Sequence, residues 1–406
     1  MLGITRLSNR VQEYAWGSNT AIAELLGNPT PSPKPQAELW MGAHPKSPSE
    51  AIIDGKAVSL IDIIRQDPQG VLGKKTTERF SGELPFLFKL LAAASPLSIQ
   101  AHPNIEQARE GYERENREKI PIDAYHRSYR DRNHKPEIIT ALTPFWAMSG
   151  FRPAPQMLEL LGAIGFRSIR TEIKALEKSP VGSGLKSFFH FLLTLPSRRK
   201  DNAINEALSW ARKNLKKPEG PFKAVCSWMI RISGQYPGDI GILSPALLNL
   251  ICLKPGEAMF TEAGVLHAYL DGVGVELMAN SDNVLRGGLT GKYIDVPELL
   301  KVLSYTPKAF APVPVIDRPR GETEYDSPAC EFRLSRIILS GSDEYVSVGE
   351  RSVEIVLCTE GSCTISESGS NKKLAVNKGQ SIFIPASVPR YTALGSATLF
   401  KAAVPL

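Results

Sequence analysis

Cysteine is scarce in this chain. Five residues among 406 (Cys226, Cys252, Cys330, Cys358 and Cys363) are odd in number and form no Cys-x-x-Cys pair. That excludes a disulfide framework and a thiolate zinc cluster, and the five read as reduced packing residues. Long hydrophobic runs are also missing. The first residues, Met1 to Leu7, contain no signal core, and the most apolar stretch, Leu84 to Leu97, is broken by Lys89, Pro85 and Pro96. A membrane span is therefore not expected, and a cytoplasmic location is. Charge of one sign is nearly balanced by the other, with 48 basic against 42 acidic residues giving +6 and no long basic run. Nucleic acid is excluded as the main partner, while a small anionic substrate fits. Without a heptad pattern or a long exposed apolar stripe, the expected state is a monomer.

What is present changes along the chain. At 406 residues, 42% apolar and 22% charged, the chain is ordinary globular protein too long for one core. From Met1 to about residue 154, glycines and prolines punctuate short apolar segments such as Phe86-Leu-Phe and Ile138-Ile-Thr, the rhythm of β-structure. From 155 to 250 the rhythm is helical, with Ile204, Ala207, Leu208, Ala211 and Leu215 at helix-face spacing. Strand character returns from 251 to 318. A Pro-rich passage starting at Thr306 precedes a third segment, 319–406, with alternating stretches such as Ser352-Val-Glu-Ile-Val-Leu. The reading is a mainly β protein with an α-helical insertion: residues 1–154 and 251–318 form one domain, 155–250 a helical domain inserted in it, and 319–406 a C-terminal one.

Histidine is as rare as cysteine, six in all, and two lie in apolar, strand-like segments where an unpaired ring is costly to bury. One is His102, in Ser98-Ile-Gln-Ala-His-Pro-Asn104. The other is His267, in Gly264-Val-Leu-His-Ala-Tyr269. Gln100 and His102 are two apart, so on a strand both side chains leave the same face and can serve one cation. Glu137, in His134-Lys-Pro-Glu, and His267 arrive from distant strands. A single buried histidine is usually a hydrogen-bonded structural residue; the four together point to one metal site.

A faint duplication supports a barrel around it. Gly256, Glu262-Ala-Gly264, His267 and Asp271 follow the spacing of a second cupin motif with Pro and Asn replaced by Glu and Asp. The pattern recurs as Gly379, Pro385-Ala-Ser387 and Arg390, where arginine takes the histidine's place. Two cupin-type jelly-roll barrels are expected, the second without metal.

Several longer motifs in order carry a family resemblance. Gln12-Glu-Tyr-Ala-Trp-Gly-Ser18, Ala37-Glu-Leu-Trp-Met-Gly-Ala-His-Pro45, Leu84-Pro-Phe-Leu-Phe-Lys, Gln100-Ala-His-Pro-Asn104, Asn133-His-Lys-Pro-Glu-Ile and Gly274-Val-Glu-Leu-Met-Ala-Asn-Ser-Asp-Asn-Val-Leu-Arg-Gly-Gly-Leu-Thr290 span most of the chain. With them the chain resembles the type I mannose-6-phosphate isomerases. The resemblance implies one zinc ion held by Gln100, His102, Glu137 and His267, and reversible conversion of mannose 6-phosphate to fructose 6-phosphate.

Such an isomerisation moves a proton between C2 and C1 through a cis-enediol, so it needs a group that takes and returns a proton and an electrophile for the oxyanion. Lys135, two residues before Glu137, is the first candidate for the proton, because a nearby cation and desolvation favour its neutral amine. Glu276 and Asp282 are rivals. Arg286, followed by two glycines, has the forked donor geometry for an enediolate or phosphate oxygen. Lys89 and Ser98 are candidates for the phosphate, and Trp16 and Tyr269 for the pocket walls. Two other classes share part of this pattern: an Fe(II) cupin oxygenase, against which the Gln ligand counts, and a non-enzymatic sugar-binding or regulatory cupin.

Overall fold

In a computed structural model, residues 2–217, 219–341, 344–347, 349–370 and 372–406 are described. Two large antiparallel sheets and a block of helices make up the regular structure, and the fold is the expected pair of cupin-type barrels with a helical insertion. The first sheet has ten strands. Its path is Leu248–Leu253, Phe145–Phe151, His267–Ala279, Phe86–Ala93, Glu38–Gly42 and Arg10–Gln12. Ala258–Thr261 with Glu137–Ala141, and Leu285–Gly288 with Ile99–Ala101, join at the sides.

The hub is the 13-residue strand His267–Ala279. Its start pairs with strands 99–101 and 145–151 and its end with 137–141 and 86–93, so one strand belongs to both walls of the barrel. Register places the site: His267 lies opposite Gln100, Met278 opposite Glu137, and Glu276 opposite Lys89. Every second residue of these strands turns into the lumen.

Helices Ala154–Ile164, Arg170–Lys178, Gly182–Leu193, Ser197–Leu215 and Lys223–Gln235 cover one outer face of this barrel. In the fourth, Ala203, Ile204, Ala207, Leu208 and Ala211 are buried, as their spacing predicts, and Leu215 is half-buried. Their apolar cluster is continuous with Met148, Phe151, Leu248 and Leu266 of the barrel. The strand Leu248–Leu253 begins inside the stretch that reads as helical. A short unbroken apolar run has no period by which to tell strand from helix.

The second sheet has eleven strands. Its path runs Val315–Arg318, Glu322–Tyr325, Arg333–Ser340, Tyr391–Ala403, Glu354–Glu367, Ser381–Ile384, Thr5–Ser8, Glu50–Ile53 and Lys56–Ser59. The N-terminal strand is thus built into the C-terminal sheet, Thr5 facing Phe383 on one side and Leu7 facing Ala51 on the other. Phe86, Phe88 and Leu90 of the first sheet share a core with Phe332, Leu334, Ile355 and Phe400 of the second. The Pro-rich passage is laid along the first barrel, where the Lys308 and Val313 N–H groups donate to the carbonyls of Phe151 (3.2 Å) and Ala258 (2.9 Å).

The sequence duplication is a structural one. Gly256 (φ 88°) and Gly379 (φ 83°) sit in the left-handed region that glycine holds without strain. The Glu257 and Gln380 N–H groups donate back to Lys254 and Asn377 carbonyls at 2.9 and 3.0 Å. The Glu257 and Gln380 side chains in turn accept from those residues' N–H groups at 2.9 and 3.0 Å. Strands Ala258–Thr261 and Ser381–Ile384 follow. Each ends in a turn closed by the N–H of Val265 or Val388, after which His267 opens one long strand and Arg390 directly precedes the other.

Candidate metal centre and substrate cavity

His102, Glu137 and His267 are buried together, with one donor atom from each lying within 4.8 Å of the other two. The His267 Nε2 is 2.9 Å from Glu137 Oε1, and the His102 Nε2 is 3.5 Å from Glu137 Oε2. Gln100 joins them, its amide Nε2 3.4 Å from His267 Nε2. The two ends of an amide are exchanged by a half-turn, so either atom can face the centre.

The donor chemistry fits a divalent cation. His102 Nδ1 is 2.7 Å from the Asn283 carbonyl and His267 Nδ1 2.9 Å from the Val265 carbonyl. A carbonyl only accepts, so each ring carries its proton on Nδ1 and turns a lone pair on Nε2 inward. The His102 Nε2 is fully buried without a hydrogen-bond partner, an orphan that a metal would satisfy. Burial and the Lys135 charge push the His102 imidazole down to about 4, so it is neutral, as a ligand must be. Burial works against the Glu137 anion, but Lys135, His102 and His267 hold its carboxyl well below the ordinary range.

Around this centre lie alternating charges. The Lys135 ammonium is 3.5 Å from Glu137 Oε2. Tyr269 stands behind Glu137, donating to Oε1 at 3.4 Å, and does not line the open cavity. The Lys89 ammonium is buried between Glu276 (2.9 Å) and Glu38 (3.4 Å) and lies 5.5 Å from the Trp40 ring centroid. Burial disfavours that ammonium, yet the two carboxylates more than offset it and raise its pKa. Burial, with Glu137 and Glu38 nearby, raises the Glu276 carboxyl.

A cavity of about 430 Å³ opens above these groups. Trp16, Lys89, Ser98, Gln100, Lys135, Asp282 and Arg286 line it, while Glu276 lies beneath its floor. Arg286 lies opposite Gln100 in the ladder, so its backbone position is fixed by the metal-bearing strand. Asp282 is on the rim, tied to Lys46 at 2.8 Å, with His44 Nε2 3.8 Å away. His134 pairs with Glu331 at 2.7 Å and takes no part in the centre.

Some cavity residues escape sequence reasoning. Tyr14, Glu38 and Trp40 stand inside quoted motifs at strand spacing, and their alternation was the available signal. Arg130 and Lys292 had none. Both share a second cavity with Arg286 at the mouth. Burial and then Arg130 lower the Arg286 pKa, and burial followed by Arg286 and Arg130 lowers that of Lys292, the mark of cations gathered close together. Asn283 holds the loop that presents its own carbonyl to His102. Its side chain donates to the Asp131 and Asn133 carbonyls, each at 2.9 Å, and accepts from the Arg130 N–H at 2.7 Å.

Comparison with known proteins gives the same direction. Residues 4–154 match the model of the phosphomannose isomerase type I catalytic domain. Mannose-6-phosphate isomerase of Salmonella typhimurium is 42% identical over 398 residues, covering 98% of each chain, and that of Homo sapiens 36% identical over 404, covering 94% of this chain and 93% of the other. A zinc-bound crystal structure of mannose 6-phosphate isomerase superposes with a TM-score of 0.91 at 40% identity, covering 100% of both chains. A mutant of the phosphomannose isomerase from Salmonella typhimurium gives 0.92 at 39%, again covering 100% of both. At this identity over nearly the whole length, the chain belongs to the type I phosphomannose isomerase family.

Proposed function

We infer that this protein interconverts mannose 6-phosphate and fructose 6-phosphate through a cis-enediol, with one zinc ion held by Gln100, His102, Glu137 and His267. The observation that carries the reading is the buried His102 Nε2 without a partner, facing Glu137 beside His267. Bound zinc supplies Lewis-acid polarisation of the sugar oxygens. The chain's own residues do the rest. Lys135 lines the cavity beside the metal ligand Glu137, within reach of a sugar lying over the centre, and we assign it the proton transfer. Asp282 is held at the rim by Lys46 and Glu276 lies below the floor, which supports Lys135 over both as the base.

The phosphate dianion meets Ser98 and the cations Arg286, Arg130 and Lys292, which share the mouth with one carboxylate, Asp282, itself paired with Lys46. Lys89 is already neutralised by Glu38 and Glu276 and shapes the floor, while Trp16 forms a wall. Tyr269 orients Glu137 from behind. The oxygenase and the non-catalytic sugar binder have no observation of their own in their favour.

We further propose the domain division 1–154 with 251–318, 155–250 and 319–406, the strands Thr5–Ser8, Glu50–Ile53 and Lys56–Ser59 of the first completing the sheet of the last, and a cytoplasmic monomer. All five cysteines are free thiols, which suits a reducing compartment, and no helix among the described residues is long and apolar enough to cross a membrane. The test is a coupled isomerase assay on mannose 6-phosphate alongside elemental analysis. One equivalent of zinc should leave with turnover on chelation and return with it; turnover that persists in metal-free protein overturns the reading.

A further inference from the structure

The second barrel repeats the first position by position in its strand ladders, and its lumen carries a different set of charges. In the first barrel Thr261 lies opposite Glu137; in the second Ile384 lies opposite Glu354, so Glu354 stands where the metal-site carboxylate stands. Ile139 faces Glu276, and Val356 faces Lys401. Lys89 faces Glu276, and Ser335 faces Lys401. One strand further, Glu38 lies opposite Leu91 and Glu322 opposite Ile337, two residues beyond Lys89 and Ser335 respectively. The buried triad Glu38–Lys89–Glu276 thus becomes Glu322–Ser335–Lys401, with the ammonium moved to the neighbouring strand. The Lys401 ammonium is 2.8 Å from Glu322 and 3.9 Å from Glu354. At the turn, Arg390 takes the place of His267.

A cavity of about 490 Å³ opens at this mouth, as one does in the first barrel. Arg318, Arg320, Arg333, Arg390 and Lys401 line it, against Glu322 and Glu324. Arg318 and Arg333 share Glu324 at 3.0 and 3.9 Å, and Lys401 is held by its carboxylates. Arg320 and Arg390 have no carboxylate partner among the described residues and face the same space. Arg320 sits at a hairpin turn with φ 64°, a left-handed conformation that glycine or asparagine holds at less cost, so the turn itself does not call for arginine.

We propose that the second barrel is a binding site for a phosphomonoester dianion, in which fixed guanidinium charge at Arg390 and Arg320 replaces the metal of the first. Two unneutralised forks on one cavity match the two charges and three oxygens of such a group. A volume of this order admits a small phosphorylated polyol or sugar. The site lies outside the catalytic barrel and does not depend on the isomerase reading.

The test is calorimetric titration of the full chain carrying Arg286→Ala, which removes a principal anion contact of the first barrel. The titrants are inorganic phosphate and glycerol 3-phosphate. One saturable equivalent is expected to remain, and adding Arg320→Gly with Arg390→Ala should weaken it at least about tenfold, with Arg390→Lys intermediate. Tighter binding of glycerol 3-phosphate assigns an ester ligand; equal binding assigns the phosphate group alone. In the otherwise unaltered chain the same two arginine substitutions leave turnover and melting temperature unchanged, which shows that the variants fold. Absence of saturable binding, or equal binding with and without Arg320 and Arg390, overturns the proposal.

Discussion

The two barrels share a ladder and a turn and differ in how they hold charge at the centre. In the first, Glu137 is surrounded by two imidazoles with inward lone pairs, an amide and an ammonium, an arrangement that leaves His102 Nε2 unsatisfied by protein. In the second, Glu354 is answered by Lys401 and by Arg351 at 3.5 Å. The second lumen answers its carboxylates with cations of its own, whereas a lumen whose inward ring nitrogen is left orphaned depends on what binds there. The difference rests on side chains at equivalent positions, with the backbone retained.

The sharpest break in that comparison is Glu137→Gln. It should lower turnover about 10³-fold or more, the order seen when a charge-stabilising group is lost, and reduce the zinc content, whereas Glu354→Gln should leave both unchanged. A Glu354→Gln protein that loses zinc would mean the second lumen takes part in metal binding after all. Next comes Lys135→Met, expected to cost about 10²–10⁴-fold in kcat while zinc stays near one equivalent, measured by the coupled assay with elemental analysis.

In the other barrel, Lys401→Met leaves Glu322 buried without its cation and Glu354 with Arg351 alone. Urea unfolding should register a loss of about 3–5 kcal/mol, while turnover of the folded fraction holds. Asn283→Ala releases the loop whose carbonyl orients His102, and zinc affinity should fall about 10–100-fold in a chelator competition.

The smallest effect is one of pH. Burial opposes the Glu322 anion, but Lys401 and the hydrogen bond from Tyr345 hold its carboxyl below the ordinary 4.5. Its contribution is therefore complete above about 4.5 and is lost as pH falls through the lower folded value. Glu322→Gln should make stability less steep in pH below that point, by at most about 1.4 kcal/mol per unit, read from urea midpoints in acid.

Much of this was legible in the sequence, for identifiable reasons. Gln100 and His102 share a strand face because strand period is two, and the helix face at Ala203 to Ala211 follows from period 3.6; both are local rules. Gly256 and Gly379 mark turns that only glycine makes cheaply, so the duplication shows at those points. Arg130 and Lys292 were invisible because their role comes from sharing a cavity with Arg286, and no spacing encodes that. Lys401 likewise read as one more lysine, since its burial depends on pairing with strands 333–340 and 354–367. The placement of Thr5–Ser8 in the far sheet follows from tertiary packing, which short polar-apolar strands do not announce.

That last placement has a consequence during synthesis. Residues 5–8 leave the ribosome well before one of the strands that flanks them, 381–384. At ordinary elongation rates of about 5–20 residues per second, one side of this strand waits roughly 20–75 s for its neighbour. The hairpin at 50–59 covers the opposite side early, leaving a single open edge during that interval. A nascent chain truncated before residue 381 would keep that edge, with Phe383 absent from the core it helps to fill, which makes strand 381–384 a late closing step for strand 5–8.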